Sequence, residues 1–114
     1  MNLKDIILAA PDIRTRKVDV PEWNCTLHVK NMTGTERTKF RTLSDKLEKD
    51  GKSNDADTWL VVYSASDEAG NRVFADSDFA ALNNKDASIL TRIAKEALIV
   101  NGLVAEAVDI EKKD

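Results

Sequence analysis

One histidine, His28, and one cysteine, Cys25, are the side chains of this 114-residue chain most suited to nucleophilic or metal chemistry. A histidine working as a general base needs a nucleophile or substrate group within hydrogen-bond reach, and no local motif places one beside His28. Zinc needs three or four sulfur, nitrogen or carboxylate ligands, and a single Cys with a single His cannot build such a site within one chain. Acidic residues are plentiful, but no pairing of them marks a carboxyl with a raised pKa. The run Asp67-Glu68-Ala69-Gly70-Asn71 lacks the alternating acids and the distant glutamate of a calcium loop. Gly34, Gly51, Gly70 and Gly102 are scattered, so no phosphate-cradling loop is present. These observations predict no catalytic residue, no cofactor and no metal, and favour a binding protein over an enzyme.

Three residues stand out for binding: Ile6, Ile7 and Trp23. Tryptophan suits an interface because it buries a large area and loses few rotors. Its bland reading is that Trp23 folds back over a hairpin or over the first helix. Ile6 and Ile7 lie on a nine-residue amphipathic stretch too short to be helical alone, which must dock on the core or on a partner; docking on the core is the default. Seventeen basic against twenty acidic residues give a net charge of −3, which argues against a nucleic-acid binder. Arg14, Arg16 and Lys17 form a local basic cluster whose plain reading is a solvated loop. Cys25 has no second cysteine to pair with, which fits a reducing cytosol, and its strand pattern predicts a small buried hydrophobe. The apolar run at 6–10 is too short for a signal peptide, and no stretch approaches the roughly 20 apolar residues of a membrane span.

The elements that would carry these residues follow from local pattern. Asn2 can cap a helix over residues 2–10 with Leu3, Ile6, Ile7 and Ala10 on one face, ended by Pro11. Residues 11–17 read as a polar loop. Val18 and Val20 begin a strand, Pro21-Glu22-Trp23-Asn24 turns the chain, and a second strand runs to Lys30. Alternation points Cys25, Leu27 and Val29 inward and Thr26, His28 and Lys30 outward. Thr33 and Glu36 form a capping box for a charged helix reaching about Glu48, with Phe40, Leu43 and Leu47 as its apolar stripe. Trp59-Leu60-Val61-Val62-Tyr63 is balanced between strand, by propensity, and a buried helix opened by Asp55 and Asp57. Asp76 can cap a short helix at 77–82. Asp86 can cap a clear one at 87–100, stopped by Asn101-Gly102, and residues 104–112 suggest a last short helix. The fold class expected is α+β: an N-terminal β-hairpin followed by a mainly helical bundle, one domain over residues 1–114.

The order of these segments resembles the phage tail assembly chaperones of long-tailed phages and prophages. The resemblance is carried by Ile6-Ile7-Leu8-Ala9-Ala10, Val18-Asp19-Val20-Pro21-Glu22-Trp23 and Thr33-Gly34-Thr35-Glu36-Arg37. It continues through Asp67-Glu68-Ala69-Gly70-Asn71, Val73-Phe74-Ala75-Asp76-Ser77-Asp78 and Ile99-Val100-Asn101-Gly102-Leu103. Each piece is a turn or cap that other folds use, and the order and spacing carry the weight. The resemblance implies a helix at 59–63. It also implies a partner, the tape measure protein, a long and largely helical chain kept soluble until tail tube subunits assemble around it, with tail tube protein as a further partner.

Long exposed apolar helix aggregates, and many copies of a small acidic protein can cover it with modest affinity each. Weak self-association fits that picture, as do a location in the host cytoplasm and absence from the mature virion. The charged segment 37–50 would keep the assembly soluble. The alternatives are a structural tail or head–tail connector protein retained in the virion, and a small nucleic-acid binder. Family members are often made in two lengths through a ribosomal frameshift. Lys112-Lys113 can be encoded by an A-rich slippery stretch, which would make this chain the short form; the same pair equally well solubilises a tail and balances a helix C-terminus.

Overall fold

The computed structural model describes residues 1–104. The chain forms α1 (Leu3–Ala9), β1 (Thr15–Val20), β2 (Cys25–Lys30), α2 (Gly34–Lys49), α3 (Ala56–Ser64), β3 (Ala65–Ser66), α4 (Phe79–Leu82) and α5 (Ala87–Val100). The strands make one antiparallel sheet in the order β1-β2-β3, with Val18 opposite Leu27 and Val29 opposite Ala65. α5 packs on β1, β2 and α3, while α2 packs on α3. Val18, Val20 and Val29 from the sheet meet Leu60, Val61 and Val62 from α3 and Ile93 and Ala97 from α5 in the core. The expected α+β class, hairpin first and helices after, is the observed one.

The ambiguous run at 59–63 is helix. α3 buries Thr58 and every residue from Leu60 to Ser64, because α2, α4, α5 and the sheet surround it. A helix apolar on all sides shows no 3.6-residue period, so β-branched content alone made it look like a strand. Two capping assignments hold in atomic detail. Thr33 Oγ1 accepts from the Glu36 N–H at 3.2 Å, and Glu36 Oε1 accepts from the Thr33 N–H at 2.9 Å. Asp86 Oδ1 accepts from the N–H groups of Ser88 and Ile89 at 2.8 and 3.3 Å. The Asn101-Gly102 stop is a Schellman motif: Gly102 takes φ +71°, its N–H donates to Ile99 O, and the Leu103 N–H donates to Leu98 O.

Several expectations are corrected. β1 begins at Thr15, inside the segment read as polar loop, because Thr15 and Arg16 pair with Lys30 and Val29 although they carry no apolar signal. Cys25 is exposed. It shares the inward face with its partner Val20, but it opens its strand beside a polar hollow lined by Asp19, Pro21, Asn24 and Thr26. Alternation assigns a face, not how far the covering layer extends. Lys30, expected outward, is buried, because Glu36 at the start of α2 meets its ammonium at 2.8 Å. Asp76 does not cap the helix after it and instead pairs with Arg72 at 3.2 Å; Asp78 Oδ2 accepts from the Ala75 N–H at 2.8 Å. The two-residue strand β3, extended by a bridge between Ser66 and Arg72, gave no sequence signal. The helix expected at 104–112 lies outside the described residues, apart from its first position.

Candidate partner-binding surface

α1 forms where expected, with Asn2 Oδ1 accepting from the Asp5 N–H at 2.9 Å. It does not dock on the core. None of its residues is buried, and Leu3, Ile6, Ile7 and Leu8 are 70%, 51%, 61% and 75% exposed. The default reading of this segment is thereby overturned: the single turn of apolar residues is real, but the domain offers it no seat.

The stem below α1 is firmly held. Asn31, just past β2, accepts from the Arg14 N–H at 2.6 Å through Oδ1 and donates from Nδ2 to Asp12 O at 3.0 Å. Its own N–H donates to Arg14 O at 3.2 Å, and Arg14 Nη2 reaches Val100 O at the end of α5 at 3.1 Å. Two of the three cations in the suspected basic cluster are therefore structural. Arg14 closes onto α5, and Arg16 pairs with Glu96 at 3.1 Å, while Lys17 faces water.

Trp23 closes a 3-10 turn over Pro21–Trp23, after which Asn24 adopts φ +52°, a left-handed conformation that asparagine tolerates well. The turn is clamped to α5 by a two-pronged ion pair, Glu22 Oε1 and Oε2 to Arg92 at 2.8 and 2.9 Å. The hydrogen bonds from Arg92, helped by the turn's own backbone, hold the Glu22 carboxyl below its ordinary pKa. Held this way, Trp23 is half-buried: one part packs on the core and another lines an open groove. The groove encloses about 410 Å3 and is walled by Trp23, Val73, Phe74, Ala81 and Leu82, with Asp78 and Lys85 also lining it. Lys85 Nζ lies 5.7 Å from the centre of the Trp23 ring. Both readings of Trp23 thus hold in part, since it folds back and also presents a face. Ile6 and Ile7 do not line this groove, so the three residues singled out from sequence form two separate features.

The groove residues beyond Trp23 were missed because Val73 and Phe74 follow a turn and show no periodicity. Beside them, Trp59 stacks on Phe79 with ring centres 4.4 Å apart, which fixes α4 against α3. The joint that holds the whole arrangement is Asn101. Its Oδ1 accepts from the buried Met32 N–H at 2.7 Å, and its Nδ2 donates to Ala97 O at 2.8 Å. Arg37 Nη2 donates to its carbonyl at 2.9 Å. One side chain thereby ties the end of α5 to the β2–α2 corner.

His28 is half-buried in β2, opposite Ser66 on one neighbour and Lys17 on the other. Among the described residues, no group of three or more His, Cys, Asp and Glu side chains is arranged to hold a metal ion. No helix among them is long and apolar enough to cross a membrane.

Comparison with known proteins gives a consistent answer. The curated proteins contain no match. The solved structure of the bacteriophage HK97 tail assembly chaperone superposes with a TM-score of 0.64. The match covers 92% of this chain and 95% of that one at 20% identity, a likeness of fold. The sequence model described as phage tail assembly chaperone matches residues 2–113, nearly end to end. With hairpin, capped helix, buried helix and Asn-Gly stop in the expected order, the chain belongs to the phage tail assembly chaperone family.

Proposed function

We propose that this chain is a non-enzymatic chaperone that binds the tape measure protein, keeps it soluble and helps the tail tube assemble around it. It acts in the host cytoplasm and is absent from the mature virion. The observation that carries the reading is α1. A seven-residue helix has too few hydrogen bonds to be stable alone, and this one displays its apolar side chains without a seat in its own domain. Such a helix gains its stability on a partner, and a long apolar helical chain is the partner that the family's role in tail assembly suggests. Many weak contacts along that chain give avidity and still permit displacement by tube subunits. Self-association of the bound copies and a contact with tail tube protein belong to the same reading.

The test is co-expression with the tape measure protein, comparing this chain with its Ile6→Asp, Ile7→Asp double variant. The intact chain holds the tape measure protein in the soluble fraction and co-purifies with it. The double variant folds with unchanged thermal stability but leaves the partner insoluble. Equal solubility of the tape measure protein with and without this chain defeats the reading. Mass spectrometry of purified particles tests the competing structural role, since stoichiometric copies in mature phage would make this chain a component of the tail.

A further inference from the structure

We infer that the groove beside Trp23 is a docking site for an amphipathic helix of the tape measure protein that carries a carboxylate next to its apolar stripe. This rests on the chaperone reading above and adds the surface and its specificity. The groove wall is apolar and aromatic, contributed by Trp23, Val73, Phe74 and Leu82. Val73 is 53% exposed, an unusual state for a valine flanked by an aromatic residue that packs on the core. A groove of about 410 Å3 falls in the range of sites that take several apolar side chains at once.

Charge decides what kind of helix fits. Lys85 and Asp78 are the two charged residues lining the groove. Asp78 already serves as a cap, accepting from the Ala75 N–H at 2.8 Å. Lys85 stands over the Trp23 ring, and among the described residues no carboxylate lies within ion-pairing distance of it. In a chain of net charge −3, an apolar groove edged by a cation without an anion selects an apolar segment bearing an acidic side chain. The mount is rigid enough for such selection. Glu22 and Arg92 pin the Trp23 turn to α5, and the Trp59–Phe79 stack pins α4.

The experiment is co-purification of the tape measure protein with the wild-type chain and with Val73→Asp, Lys85→Glu and Lys85→Arg. Light scattering on each chain alone accompanies it, and circular dichroism establishes that each variant folds. The expected result is at least a tenfold loss of co-purified partner for Val73→Asp and for Lys85→Glu, with Lys85→Arg retaining wild-type recovery. Lys85 is at the surface, so Lys85→Glu remains decisive even if Val73→Asp is unstable. Wild-type recovery for both disruptive variants overturns the groove while leaving the chaperone reading intact. Failure of the wild-type chain itself to retain the partner overturns that reading, and the groove proposal with it. A change in native mass of the variants alone, with tape measure recovery unchanged, assigns the groove to a second copy of this chain and overturns the proposal as stated.

Discussion

Replacing Asn101 by alanine should destabilise the domain more than any other single polar substitution on α5. The Asn101 side chain is the sole recorded acceptor for the buried Met32 N–H, at 2.7 Å. An unpaired buried donor costs about 1–3 kcal/mol. Loss of the Nδ2 donor to Ala97 O adds less, because the Asn101 backbone N–H still reaches that carbonyl at 3.1 Å. The sum is about 2–3 kcal/mol, or a fall in Tm of roughly 10 °C for a domain of this size. Asn101→Asp keeps the acceptor for Met32 but turns a carboxylate oxygen toward Ala97 O. It should therefore cost at least as much at neutral pH. The assay is urea unfolding followed by Trp23 and Trp59 fluorescence, with an unchanged m-value showing that the native and unfolded states are otherwise the same. A loss below about 0.5 kcal/mol for the alanine variant, the range of an ordinary surface change, would refute the assignment of Asn101 as the joint.

Two further outcomes follow from the same structure. Burial alone would raise the Glu36 carboxyl, but hydrogen bonds from the Lys30 ammonium and the Thr33 N–H outweigh it and leave the pKa below the ordinary 4.5. A depressed carboxyl stabilises the fold above its unfolded pKa, and that contribution is lost as pH falls through the lower folded value. Glu36→Gln should thus cost about 1–3 kcal/mol at neutral pH and progressively less in acid, because it also leaves the buried Lys30 unpaired. A stability difference that stays constant from neutral pH into acid would contradict this. Cys25 should react with a thiol reagent in the native protein without denaturant, and Cys25→Ser should change stability by less than about 0.5 kcal/mol; protection of the thiol until global unfolding would show that it is covered.

Local chemistry was legible wherever the signal and its cause lie within a few residues. The Thr33–Glu36 box, the Asp86 cap and the Asn101-Gly102 stop depend on side chains reaching backbone one turn away, and each is present. Faces were legible for long amphipathic elements: α5 buries Ile89, Leu90, Ile93 and Ala97 as its spacing implies. What the sequence hid depends on distant partners. Lys30 is buried because Glu36 turns back over it, and Cys25 is open because the helical layer stops short of the strand's start. Ile6 and Ile7 were legible as an apolar face, but the absence of a seat for them is a property of the whole fold. Trp23 was legible as a residue of interest, while the groove it lines joins it to Val73, Phe74 and Leu82, some fifty residues onward along the chain.

The way α1 is mounted has a consequence for inheritance. The Asn31 stem fixes where the helix leaves the domain, yet no core side chain leans on Leu3, Ile6, Ile7 or Leu8. Substitutions in this helix therefore carry almost no folding penalty and are judged only by the molecule that covers it. Such a segment is free to drift in step with its client from one phage to the next, while the strands and helices beneath it stay under the constraint of close packing. The scaffold and its address label can evolve at different speeds within a single small domain.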